Sequence, residues 1–223
     1  MKLDATHPTT LALKDLLPVA RISGGSFAHW LPHPRRISPK RRPGVFNSAQ
    51  NRAVLECVQG LVSFMGLEPA TRVPSGRDGQ RLWPDGYVGS MTHKGTVVLG
   101  AVALKVVLES IGIDLERLAT SELRSLEEVI APEGLPAGPD PSVGTLLAFS
   151  AKEAVFKAFY SVQPTRLAFR DVRLRWKPCG GGRYEANAEL MTFRSYRVQC
   201  QVVGDWIVSA ATCKSHPEGA RGL

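Results

Sequence analysis

Along "SAQNRAVLECVQGLVSFMG" apolar residues fall at 54, 55, 58, 61, 62 and 65, a helical period that stops at Gly66. Upstream, "TLALKDLLPVA" (10–20) predicts a short helix ended by Pro18, and a connection rich in Gly, Pro and Arg continues through Gly44. Downstream the period changes. A turn-rich stretch, "PSGRDGQRLWPDG" (74–86), leads into the β-rich run "TVVLGAVALKVVL" (96–108). In "SIGIDLERL" (110–118), Ile111, Ile113 and Leu115 alternate with Gly112, Asp114 and Glu116. That alternation predicts a strand with its aliphatic side on the core and its two acids on the outward face.

"SELRSLEEVI" (121–130) reads as a helix, "APEGLPAGPDPSVG" (131–144) as a Pro/Gly loop, and "LLAFSAKEAVFKAFY" (146–160) as a second helix. Then four segments alternate at period two: "DVRLRWKP", "RYEANAEL", "SYRVQCQVV" and "DWIVSAATC". They predict an antiparallel meander, with a frayed tail after it. No linker is long or polar enough to separate independent domains. The expected class is α+β: two similar α/β halves, 1–105 and 106–223, packed as a pseudo-dimer in one chain with mostly antiparallel sheets.

Composition narrows the function classes. The 223 residues are 43% hydrophobic, enough for a sizeable core. No apolar run approaches the ~20 residues needed to cross a bilayer, and "MKLDATHPTT" lacks a signal-peptide core, so a cytoplasmic protein without membrane contact is expected. The four cysteines have no C-x-x-C spacing and the histidines no zinc-like spacing, so reduced thiols are expected. Lys and Arg exceed Asp and Glu by 28 to 20, a net charge of +8, which calls for an anionic partner: nucleic acid, anionic lipid, a polyphosphate ligand or an acidic protein. The densest basic block, "RRISPKRR" (35–42), lacks interleaved aromatics, and no nucleic-acid-binding signature accompanies it.

Two constellations carry candidate chemistry. Asp114 and Glu116, two apart on an extended strand, project together at roughly 6 to 7 Å and could share a hard divalent cation, with Glu153 as a third ligand. A bare D-x-E is equally a strand edge with two solvated acids. On the helix, Ser150 and Glu153 fit the S-x-x-E capping box, and Glu153 with Lys157 fits an i,i+4 ion pair.

"IGIDLE" (111–116), "FSAKEAVFKAF" (149–159) and "WPDGYVGSMTHKG" (83–95) together resemble the 4'-phosphopantetheinyl transferases. The resemblance is to the larger monomeric class that activates nonribosomal peptide and polyketide synthetases, and within it to the bacterial siderophore branch. It covers about residues 40 to 210 and implies the two-halved fold, with the active site at the junction. It also implies transfer of phosphopantetheine from coenzyme A to a serine of an apo carrier protein, with Mg2+ (Mn2+ as the alternative) and release of adenosine 3',5'-bisphosphate.

By matching position, the resemblance makes Asp114, Glu116 and Glu153 metal ligands, Glu153 the general base, Lys157 the neutraliser of pyrophosphate charge and Lys152 a second phosphate neighbour. Ser90 and His93 fall at the adenosine end of coenzyme A, and Arg77 or Arg81 beside the nucleotide. Departures concern the N-terminal phosphate contacts: Gln50 stands four positions after Phe46 where the family usually has arginine, leaving Arg52, or Arg41 and Arg42, for the 3'-phosphate. Arg81 replaces a frequent proline, and Lys94 a frequent cysteine. The competing readings are a non-catalytic basic protein that docks on nucleic acid or an acidic partner, and another Mg2+-dependent pyrophosphate-cleaving enzyme.

Overall fold

The computed structural model describes residues 48–94, 97–118, 127–177, 179–191 and 194–214, with the backbone alone for 48–53. The helix expected over 10–20, the basic block 35–42 and the tail lie outside these residues. The first helix, α1 (Ser48–Phe64), follows the apolar period and buries Cys57, Val58, Leu61 and Val62. Gly66, at φ +69°, ends it, because only a residue without a Cβ takes that conformation cheaply.

Strands β1 (Tyr87–Lys94) and β2 (Val97–Leu104) form an antiparallel pair, with Tyr87 opposite Leu104 and Lys94 opposite Val97. One face of β2 packs on α1 through Val98 and Val102, and Gly100 is what lets them approach: a Cβ there would lie 2.6 Å from Leu61 and 2.9 Å from Cys57. The other face, with Leu99, Ala101 and Ala103, packs on Ile111, Ile113 and Leu115.

Those three residues belong to β3 (Leu108–Arg117), which runs antiparallel to β7 (Trp206–Lys214). β6 (Ser195–Val203), β5 (Arg183–Leu190) and β4 (Val172–Lys177) complete a five-stranded sheet of order β3-β7-β6-β5-β4. Its last four strands are the expected meander. A short helix, α2 (Glu127–Ile130), and then α3 (Pro141–Val162) connect β3 to it, and a 3-10 turn (Phe169–Asp171) leads into β4. The apolar side of α3, including Leu147, Ala151, Val155, Ala158 and Phe159, buries against Val198, Ile207 and Ala211 of the sheet.

β3 is therefore covered on both faces, by the β1–β2 pair on one side and α3 on the other. Gly112 is the point of closest approach to the helix: a Cβ there would sit 1.9 Å from the Ala154 carbonyl oxygen. This corrects the outward face expected for Asp114 and Glu116. They share the side of Gly112, lie beneath α3, and are only 5% and 8% exposed.

A second correction concerns the start of α3. It begins at Pro141, where the Asp140 carboxylate accepts from the Ser142 backbone N–H at 2.9 Å and Pro141 takes a position with no intrahelical donor to lose. Ser150 is not a cap. It sits in the third turn, fully buried, its Oγ without a hydrogen-bond partner among the described residues.

Candidate active site

Between α3, β1 and the loop 78–83 lies a groove of about 1440 Å³. Glu153 and Lys157, four apart and so roughly above one another on α3, line it together with Phe156 and Tyr160. The opposite wall is β1. Period two gives Ser90, Thr92 and Lys94 a common side, and each reaches β3: the Ile113 N–H donates to Ser90 Oγ at 3.1 Å, Thr92 Oγ1 donates to Asp114 Oδ1 at 3.4 Å, and Lys94 pairs with Glu116.

Lys157 is the hub. Its Nζ donates to Asp114 Oδ1 at 2.7 Å, the Ile113 carbonyl at 3.0 Å and Thr92 Oγ1 at 3.2 Å, so α3, β3 and β1 meet at one ammonium group. The second Asp114 oxygen, Oδ2, is buried with no hydrogen-bond partner among the described residues. Burial first, and then the nearby Asp114 carboxylate, pushes the Glu153 carboxyl above the usual range. Lys157 opposes this and Glu116 adds to it.

The three acids expected to share a cation are thus mutually close enough to feel one another. They are not a ready-made cage: among the described residues no group of three acids, histidines or cysteines is arranged to hold a metal ion. Lys157 and Lys94 each occupy one acid. The donor set nevertheless fits a hard cation. A buried carboxylate oxygen without a partner and a neighbouring carboxyl crowded by like charge are both relieved by positive charge placed between them.

Lys152 does not join the cluster. Five residues from Lys157 is about 140° around a helix, and the Lys152 side chain is fully buried on the far side. Its Nζ lies 2.8 Å from Glu133 and donates to the Phe169 carbonyl at 2.9 Å. Burial pulls this ammonium below the usual lysine range, against the Glu133 carboxylate that holds its proton. The expected phosphate neighbour is a structural ion pair, with Glu133 also accepting from the Leu174 N–H at 3.0 Å.

Of the remaining candidates, Ser90, His93 and Arg81 line the groove, His93 exposed and Arg81 donating to the Val73 carbonyl at 3.2 Å. Arg77 is exposed and is not part of the wall. Arg41 and Arg42 lie outside the described residues, as does the side chain of Arg52. Thr92 and Lys94 went unselected at the sequence level. The signal available was their two-residue spacing from Ser90, which puts all three on one side of β1. Tyr160 was missed as well: its hydroxyl donates to Asp78 Oδ2 at 2.5 Å, joining the last turn of α3 to the loop 78–83.

Residues 110–211, which contain Asp114, Glu116, Glu153 and Lys157, match the family model described as the 4'-phosphopantetheinyl transferase superfamily. The chain is similar to 4'-phosphopantetheinyl transferase Svp of Streptomyces mobaraensis, 38% identical over 67% of this chain and 60% of that protein. It is similar also to 4'-phosphopantetheinyl transferase Npt of Nocardia iowensis, 34% identical over 54% of this chain and 55% of that protein. Enterobactin synthase component D of Salmonella typhimurium is 33% identical over 58% of this chain and 54% of its own length. The chain spans little more than half the length of these curated relatives. The stretch that the family model matches carries Asp114, Glu116, Glu153 and Lys157 of the groove, and over it the chain is similar to the 4'-phosphopantetheinyl transferase superfamily.

Proposed function

We propose that this chain transfers the 4'-phosphopantetheine group of coenzyme A to a serine of an apo acyl or peptidyl carrier protein, releasing adenosine 3',5'-bisphosphate. The observation that carries the reading is the Lys157–Asp114 pair beside the crowded Glu153 carboxyl, on the wall of a groove large enough for a nucleotide and its arm. The first half, 1–105, contributes Ser90, Thr92, His93 and Arg81 to the groove, and the second, 106–223, contributes Glu153 and Lys157, in keeping with a site at their junction.

In this reading the nucleotide lies along β1, with Arg81, Ser90 and His93 beside its phosphates and base, and the pyrophosphate reaches α3. Mg2+, held by Asp114, Glu116 and Glu153, would supply charge compensation to the pyrophosphate oxygens. Glu153 takes the proton of the carrier serine, a task suited to a carboxyl held above its usual range. The serine Oγ forms a bond to the phosphorus of the phosphopantetheine arm. The bond from that phosphorus to the bridging oxygen breaks, and its electron pair leaves on adenosine 3',5'-bisphosphate. Lys157, tethered to Asp114 and to the Ile113 carbonyl, faces the charge that grows there. Such chemistry needs positioning and charge more than covalent help, and three elements meeting at Lys157 supply the positioning.

The test is chromatographic detection of adenosine 3',5'-bisphosphate after incubation with coenzyme A, Mg2+ and an apo carrier protein. Release that depends on all three supports the reading. Release without the carrier makes the chain a pyrophosphate-cleaving enzyme instead, and no release in any mixture refutes transfer.

A further inference from the structure

Two ammonium groups already sit on the acidic cluster, and they are not equivalent. Lys157 is bound on three sides within the packed junction of β1, β3 and α3, its partners being Asp114, Thr92 and the Ile113 carbonyl. Lys94 comes from the last residue of β1 and pairs with Glu116, whose side chain is 10% exposed, while its own is 39% exposed. A lysine on a flexible four-carbon stem, with over a third of its side chain in solvent, can leave its partner without unfolding anything around it.

Charge counting gives the pair a consequence. Asp114, Glu116 and Glu153 contribute at most three negative charges, and Lys94 and Lys157 return two positive ones, leaving little net charge to attract a divalent cation. Lys94 sits on Glu116 Oε2, so a metal at Glu116 loses that oxygen and meets a like charge unless Lys94 is displaced. We infer that Lys94 is a built-in counter-cation that competes with the divalent metal for Glu116. This inference rests on the reading of Asp114, Glu116 and Glu153 as the metal-holding acids. A divalent ion is therefore held weakly by the free protein and firmly only once a polyphosphate adds its own oxygens and negative charge.

The experiment is Mn2+ binding to the full chain without coenzyme A, followed by the electron paramagnetic resonance signal of the free ion. Lys94→Met should bind Mn2+ about tenfold more tightly than the wild type or tighter, because it removes a unit charge a few ångströms from the ion. Lys94→Arg, which keeps the charge, should stay near wild type. Adding Glu116→Gln to Lys94→Met should cancel the gain, since the competition is for that carboxylate. Thermal unfolding of each variant confirms that a folded protein was titrated.

Equal Mn2+ affinity in wild type and Lys94→Met, or weaker binding in the variant, overturns the inference. Asp114→Asn separates that failure from a failure of the underlying reading. If Asp114→Asn weakens Mn2+ binding while Lys94→Met changes nothing, the acids hold the metal and Lys94 does not compete. If Asp114→Asn is also without effect, the metal assignment falls and the inference with it.

Discussion

Glu153 shows how one side chain carries opposite demands. Burial and two neighbouring carboxylates disfavour its charge, yet a general base must be ionised to act. If the proposed reading holds, Glu153→Gln removes the base and the buried charge together. Transfer should fall by about 10²- to 10⁴-fold, while the melting temperature stays equal or rises, because at neutral pH the native state no longer bears a disfavoured carboxylate. Steady-state transfer and thermal unfolding on the same preparation check both halves. A residue serving only a helical ion pair with Lys157 would lose about 0.2 to 0.5 kcal/mol and no activity.

The cysteines give a pH prediction of definite sign. Burial pushes the Cys57 and Cys200 thiols from 9.0 up to about 12. Between those values the unfolded chain loses both protons and the native one keeps them. Stability fully present below pH 9 is therefore lost as pH rises toward 12, by about 1.4 kcal/mol per pH unit for each thiol. Urea unfolding from pH 8 upward should show this fall, and the Cys57→Ala/Cys200→Ala variant should show a shallower one, whatever constant offset its smaller side chains introduce.

At the scale of elements, sequence legibility followed how strongly each pattern departed from its alternatives. The four alternating segments after residue 170 gave the meander, since no helix tolerates period two over such lengths. β1 escaped notice because Gly89, Ser90, Thr92 and His93 interrupt apolar alternation, although its partner is the strand that follows it in the chain, β2. The outward face assigned to Asp114 failed for a related reason. Alternation tells which residues share a side and not whether the second side is also covered. At the helix, S-x-x-E at Ser150 competed with Asp-Pro at 140–141, and the earlier signal won because the whole run from 141 onward can bury against the sheet.

Lys152 offers an element-scale test, as the pin between α3, Glu133 and the turn before β4. Lys152→Met strands a buried carboxylate and should cost about 3 to 5 kcal/mol in chemical unfolding. In Lys152→Met/Glu133→Gln the neutral amide still accepts from the Leu174 N–H, and most of that loss should return. A single variant as stable as the double one would mean that the pair contributes nothing to holding α3.

On the scale of the whole molecule, a chain of net charge +8 presents a groove whose walls come from both sides of residue 106. What the sequence could not convey was the internal neutralisation. The acids stood out through their motifs, but the lysines seated beside them depend on how β1 and α3 pack over β3. Among the described residues no helix is long and apolar enough to cross a membrane.

The central claim is group transfer, and the mass of the acceptor tests it most directly. An apo carrier protein incubated with the chain, coenzyme A and Mg2+ should gain the mass of one phosphopantetheine on its serine, as read by intact-protein mass spectrometry. Omitting coenzyme A or Mg2+, or replacing Glu153 with Gln, should leave the carrier at its starting mass over the same interval. A carrier that stays unmodified with the wild-type chain, or gains the same mass equally fast with Glu153→Gln, would contradict the account.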